Sequence, residues 1–136
     1  MNHRTETAAL LLRLGLGTMF VAHGLLKVMV FTLPGTVGFF EQVGFPGWMA
    51  YIVTFAEIGG GILLIAGIRV TAVSLALLPV LLGAVYVHSG AGWLFSNPNG
   101  GWEYPAFLAL ASIVQALLGP GKFSVEVPFL ARTRTA

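Results

Sequence analysis

The chain is 136 residues long, 57% apolar and only 9% charged, with a formal net charge of +2. A soluble domain carries about a quarter charged residues, so this chain lacks the charge to coat a water-facing surface. The absence of cysteine excludes disulfides, thiol redox chemistry and iron–sulfur ligation, and no basic run with interleaved aromatics points to nucleic acid.

In chain order, apolar stretches cover residues 8–31, 48–67, 70–87 and 104–118. Each approaches the roughly 20 residues a helix needs to cross the hydrocarbon core, the last being the shortest. Within a bilayer every backbone N–H must find a partner inside its own segment, so the stretches read as helices. The predicted fold is therefore all-α: an integral membrane four-helix bundle, forming one domain over residues 1–136. The first stretch is too long for the h-region of a cleaved signal peptide and contains His23 and Lys27.

The connections support this division. Residues 32–47 (TLPGTVGFFEQVGFPG) hold two prolines and four glycines around FFEQV, which is predicted to lie at the interface as a brief helix. Ile68 and Arg69 form a tight turn, making spans two and three antiparallel neighbours. Residues 89–102 (SGAGWLFSNPNGGW) are rich in turn formers and carry two tryptophans suited to the headgroup belt. Pro79 is expected to kink span three. The Gly59-Gly60-Gly61 run, with Ala56, is expected to serve close helix packing. Residues 119–136 read as a polar tail.

Arg4, Arg13, Arg69, Lys122, Arg132 and Arg134, six of the seven basic residues, fall on one side of a four-span topology. The positive-inside rule makes that side cytoplasmic, with both termini there, in the plasma or inner membrane. The loops after spans one and three face outward and carry no Lys or Arg.

Ionisable residues inside a span are costly and mark function or pairing. Helical rise places His23 about 12 Å and Glu57 about 14 Å below the outer surface, with Lys27 one turn above His23 on the same face. His88 ends span three, and Glu103 and Tyr104 begin span four. Five ionisable side chains from four helices thus fall in the outer half, beside Tyr86, Trp93, Trp102 and Tyr104. In the inner half Arg13 is expected to snorkel. One reading is structural: Lys27 pairs with Glu57 or Glu103 and the pocket is glue. The other is a polar pocket for the head of a lipid-soluble molecule whose tail lies among the helices. A quinone fits, with His23, Lys27 and Glu57 as catalytic candidates and Tyr86, His88, Trp102, Glu103 and Tyr104 lining the site. Haem fits poorly, because His23 and His88 differ in depth by about two turns, and a metal site from these residues is less favoured still.

The motifs RLGLGTMFVAHGLLKV, FFEQVGFPG, AEIGGGILLIAGI, GGWEYP and GPGKFSVE, in this order and spacing, resemble the DoxX family of small four-span membrane proteins. The resemblance extends from about Leu11 to Glu126, where many relatives have aspartate. It implies an association with membrane oxidoreductases, including quinol-oxidase and thiosulfate:quinone oxidoreductase assemblies, usually as a companion of other subunits. The family's recurring polar positions match His23, Lys27, Glu57 and Glu103.

The expected function is that of an oxidoreductase subunit binding a quinone or quinol in the outer half, in contact with the bilayer and acting with a partner subunit or as a homodimer. The alternative is a non-catalytic scaffold or assembly factor. A small transporter is disfavoured, because four spans need a dimer to make a path and, Arg13 apart, no polar residue continues the cluster through the inner half.

Overall fold

A computed structural model describes residues 1–125; Glu126, Arg132 and Arg134 lie outside the described residues. The described chain is all-helical, with α1 at His3–Met29, α2 at Leu33–Gln42, α3 at Met49–Ala66, α4 at Val70–His88 and α5 at Glu103–Leu118. A short 3-10 turn at Ser89–Ala91 extends α4. Three segments, His3–Met29, Met49–Ala66 and Val70–Ala91, are long and apolar enough to cross a membrane, and the fourth, α5, has 16 residues. At about 1.5 Å per residue α5 is roughly 24 Å long.

The outward faces are apolar: Ile52, Phe55, Leu75, Leu82, Phe107 and Leu117 are all exposed. A contiguous greasy exterior of this kind is a lipid-facing surface. This is a multi-pass membrane protein.

Glycines set the tightest interface. A Cβ on Gly17 would lie 2.7 Å from the Gly61 carbonyl oxygen, and one on Gly24 would lie 3.1 Å from the Thr54 carbonyl oxygen. Moving seven residues up α1 therefore moves seven down α3, so the two helices run antiparallel with backbones nearly touching. Gly60 faces Leu77 of α4, whereas a Cβ on Gly59 would meet nothing. Only two glycines of the run thus serve packing. On the far side, Ser112 Oγ donates to the Ser74 carbonyl at 2.9 Å and Thr71 Oγ1 to the Ala116 carbonyl at 3.0 Å, fixing α4 antiparallel to α5. Contacts of α1 with α5 close the ring. Leu16, Phe20, Leu64, Val73, Leu77 and Ala109 fill its centre. α4 continues through Pro79, which lies on its exposed side.

The loop helix α2 is longer than FFEQV suggests. Thr32 caps it by accepting from the Gly35 N–H, and Pro34 occupies its first turn, where a missing N–H costs nothing. Thr36 Oγ1 donates to the Lys27 carbonyl at 3.1 Å, tying α2 to the end of α1.

Arg13 departs from expectation. It does not snorkel; it is 1% exposed. Its Nη1 donates to the Leu64 and Ile65 carbonyls at 3.1 and 2.5 Å, Nε to Pro120 at 2.8 Å and Nη2 to Lys122 at 2.6 Å. The last four carbonyls of α3, which have no partner within the helix, are all satisfied. Leu63 accepts from Ile68 N–H, Leu64 and Ile65 accept from Arg13, and Ala66 accepts from Val125 N–H at 3.3 Å. Gly67, at φ 77°, makes the left-handed turn that permits this ending. Residues 119–125 are consequently a docked strap, not a loose tail. A Cβ at Gly121 would collide with the Glu6 carbonyl and Ala9, and Lys122 N–H donates to the Glu6 carbonyl at 3.3 Å.

Candidate functional site

The site begins with the geometry of side chains on antiparallel helices. From the Gly17–Gly61 register, Lys27 sits about six residues, or roughly 9 Å, above Glu57. Helical side chains lean toward their own N-terminus, so on antiparallel helices Lys27 leans down and Glu57 leans up. They meet: Lys27 Nζ donates to Glu57 Oε2 at 2.7 Å, with side chains 19% and 7% exposed. Thr54, one turn from Glu57, has a fully buried hydroxyl with no hydrogen-bond partner.

His23 lies one turn below Lys27 on α1. Its Nδ1 is 2.7 Å from the Met19 carbonyl oxygen. A carbonyl can only accept, so Nδ1 carries a proton, and Nε2 makes no hydrogen bond to the described residues. The ring stacks on Tyr104 of α5, centroids 6.1 Å apart at 29°, and the Tyr104 hydroxyl approaches the Met19 sulfur at 3.5 Å. His23 and Tyr104 thus join α1 to α5, while Lys27 and Glu57 join α1 to α3.

The remaining candidates organise the outer loop. Trp102 and Glu103 N–H groups donate to the Gly92 and Trp93 carbonyls at 3.0 and 3.1 Å, pinching residues 92–103 into a closed loop. Trp93 and Trp102 meet edge to face at 4.6 Å. Glu103 Oε1 accepts from Phe95 N–H at 3.1 Å. His88 Nδ1 bonds the Ala84 carbonyl at 2.8 Å, and its ring faces Gly100. Tyr86 points out of the bundle, 68% exposed, with its ring edge to face with Phe45 at 6.1 Å.

The eight candidates therefore fall into groups. His23, Lys27, Glu57 and Tyr104 line the α1 interfaces. His88, Trp102 and Glu103 surround the outer loop, and Tyr86 faces outward. Glu103 does not reach Lys27; its partner is the loop backbone. No group of three His, Asp or Glu side chains suited to a metal ion occurs among the described residues.

A cavity of about 320 Å³ touches the first two groups only through Tyr104 and Glu103, and is otherwise lined by Trp93, Phe95 and Phe107. Sequence reasoning missed Met19, Phe95 and Phe107 here. Met19 is four residues before His23, and Phe107 three after Tyr104, so helical periodicity carried a signal for both. Phe95, in a turn-rich loop, had none.

A family model described as DoxX matches residues 8–90. The chain belongs to the DoxX family. It is also 34% identical over 130 residues to the Bacillus subtilis (strain 168) protein named "Putative oxidoreductase CatD", covering 96% of this chain and 92% of that one. No solved structure matches. The family match takes in α1 through α4, including His23, Lys27, Glu57 and His88; α5, with Glu103 and Tyr104, is covered by the similarity to the Bacillus protein.

Proposed function

We propose that this DoxX-family chain is a membrane subunit of an oxidoreductase that binds a quinone or quinol in its outer half and works with a partner subunit. The observation that carries the proposal is an aromatic cavity with a carboxylate, Glu103, in its wall, one of whose lining rings, Tyr104, stacks on His23 behind it. The cavity lies within the range of about 300–1,000 Å³ typical of ligand pockets. Its aromatic walls suit a flat ring, and Glu103 offers one polar acceptor. A bound quinone would supply exchange of two electrons and two protons. Tyr104 would orient the ring, His23 Nε2 would hold or release a proton, and Glu103 would pass protons to the outer surface. With no cysteine in the chain, electrons pass to or from a partner protein. The name of the Bacillus relative supports the oxidoreductase class.

The topology proposed with it has four spans, α1, α3, α4 and α5, with α2 at the outer interface. Arg4, Arg13, Arg69 and Lys122 share the end carrying the strap, which the positive-inside rule makes cytoplasmic, so the proposed arrangement has both termini on the cytoplasmic side of the cell membrane.

The test is purification in native lipid followed by mass spectrometry of extracted quinones. Wild-type protein should carry quinone, and His23→Leu and Tyr104→Leu should lose it while remaining folded. Quinone-free wild-type protein would overturn the proposal. The scaffold reading draws on a different observation, the closed Lys27–Glu57 pair, which shows both charges satisfied as structural glue requires. It predicts quinone-free protein that co-purifies with a larger enzyme.

A further inference from the structure

A second cavity of about 490 Å³ lies on the same α1/α5 face, lined by α1 from Leu11 to Met19 and by Phe107, Leu108 and Ala111. Phe107 is a wall of both cavities, and Met19, which lines the lower one, touches the Tyr104 hydroxyl in the upper. Because α1 and α5 are antiparallel, the two cavities form a groove descending from the outer loop toward the inner half. Its upper end holds Glu103, Trp93 and Tyr104; its lower end is aliphatic apart from Thr18, whose hydroxyl is tied to the Leu14 carbonyl at 2.7 Å. Gly15 lines the lower end, and a Cβ there would meet nothing within 4 Å.

We infer that this groove takes a long-tailed quinol laterally from the bilayer, with the ring against the Glu103 carboxylate and the tail along Gly15 and Leu108. The inference rests on the quinone reading above and names the route and the contacts. Charge selects the occupant. One Glu103 oxygen is committed to Phe95 N–H, leaving the other to accept from a hydroxyl. No Lys or Arg occurs in residues 28–68 or 70–121. A phosphate headgroup beside Glu103 would therefore meet a like charge without a counter-ion, whereas a neutral hydroxylated ring meets an acceptor and aromatic faces. The quinol is read from the side of the bundle, and the Lys27 ammonium is already held by Glu57 at 2.7 Å.

The experiment compares decylubiquinol with tail-less duroquinol, binding full-length protein in phosphatidylcholine nanodiscs, for wild type, Gly15→Leu, Thr18→Leu and Glu103→Gln. Gly15→Leu fills open space and should leave thermal stability unchanged, and Thr18→Leu is a second filling variant. Each should weaken decylubiquinol at least about tenfold, the value of roughly two buried methylenes, with duroquinol unaffected. Glu103→Gln should weaken both ligands about fivefold, the scale of one hydrogen bond. Decylubiquinol binding that ignores both filling variants would overturn the groove while leaving quinol binding intact. Binding of neither ligand to wild type would overturn the proposed function and the groove together. Decylubiquinol binding seen in detergent micelles but lost in the phosphatidylcholine nanodiscs would mark an ordinary lipid site and reject the inference.

Discussion

Replacing Arg13 with Met tests whether a single guanidinium locks the strap end of the bundle. Four hydrogen bonds to a charged donor are worth about 1.5–3 kcal/mol each, roughly 6–12 kcal/mol in sum. Three effects reduce this. Removing the charge removes its desolvation cost, Leu64 still accepts from Gly67 N–H at 3.1 Å, and a released strap regains water for Pro120 and Lys122. Ile65 keeps no partner. A net loss of about 3–5 kcal/mol remains, the size found when one partner of a buried charged network is removed. Unfolding in detergent, followed by circular dichroism, should show a midpoint lowered by on the order of 10 °C. Trypsin adds a local readout, because Lys122 is docked against α1 and cleavage after it should accelerate when the strap detaches. Arg13→Lys should fall between, since an ammonium cannot reproduce the planar fork. An Arg13→Met protein with an unchanged midpoint and unchanged cleavage would refute the reasoning.

Other outcomes follow from the same geometry. Lys27→Met should destabilise the bundle by about 3–5 kcal/mol, and adding Glu57→Gln should restore most of it, measured by denaturant titration in micelles; a single variant as stable as wild type would show that the pair holds nothing. Gly17→Leu should force α1 off α3 and prevent folding, because its Cβ would lie 2.7 Å from the Gly61 carbonyl. Gly59→Ala, facing open space, should change stability by no more than about 0.5 kcal/mol, and equal damage from both would contradict the register. Gly101→Ala should spring the outer loop, since a Cβ there collides with the Leu94 carbonyl. In this cysteine-free chain, a Phe95→Cys probe should then react faster with a water-soluble maleimide.

The helices were legible because bilayer physics is one-dimensional at that level: apolar length and polar interruption suffice. The depth arithmetic also survives in part, since the glycine register places Glu57 level with Val21, about 3 Å from the height of His23. Depth says nothing about azimuth, and that is where the sequence ran out. Glu103 and Lys27 share one half of the bundle, yet Glu103 turns to the loop backbone. Tyr86, in the same layer, faces out. Arg13 illustrates a different blindness. Its distance from the end of the apolar run suggested snorkelling, but its partners are backbone carbonyls more than fifty residues away, and a carbonyl leaves no trace in side-chain chemistry.

The family's motifs can now be sorted by what packing explains. Gly17 and Gly24 of the first motif are the α1/α3 seam, and its leading Arg13 grips the strap that GPGKFSVE supplies. Gly47 of FFEQVGFPG lies against Glu41, where a Cβ would stand 2.6 Å from the carboxylate. The glycines of GGWEYP let the outer loop close, and Lys27 with Glu57 forms a satisfied pair. Local rules and global fold agree at all these positions, as they should where residues serve the structure. Packing leaves several polar groups unexplained: the buried Thr54, Ser74 and Gln115 oxygens that have no partner, and a set on the α1/α5 face. That set is Nε2 of His23 and the second oxygen of Glu103, with the Tyr104 hydroxyl beside them donating to the Met19 sulfur at 3.5 Å. Their convergence favours a ligand over glue, and it makes α5, outside the matched family region, the helix whose substitution should separate binding from folding.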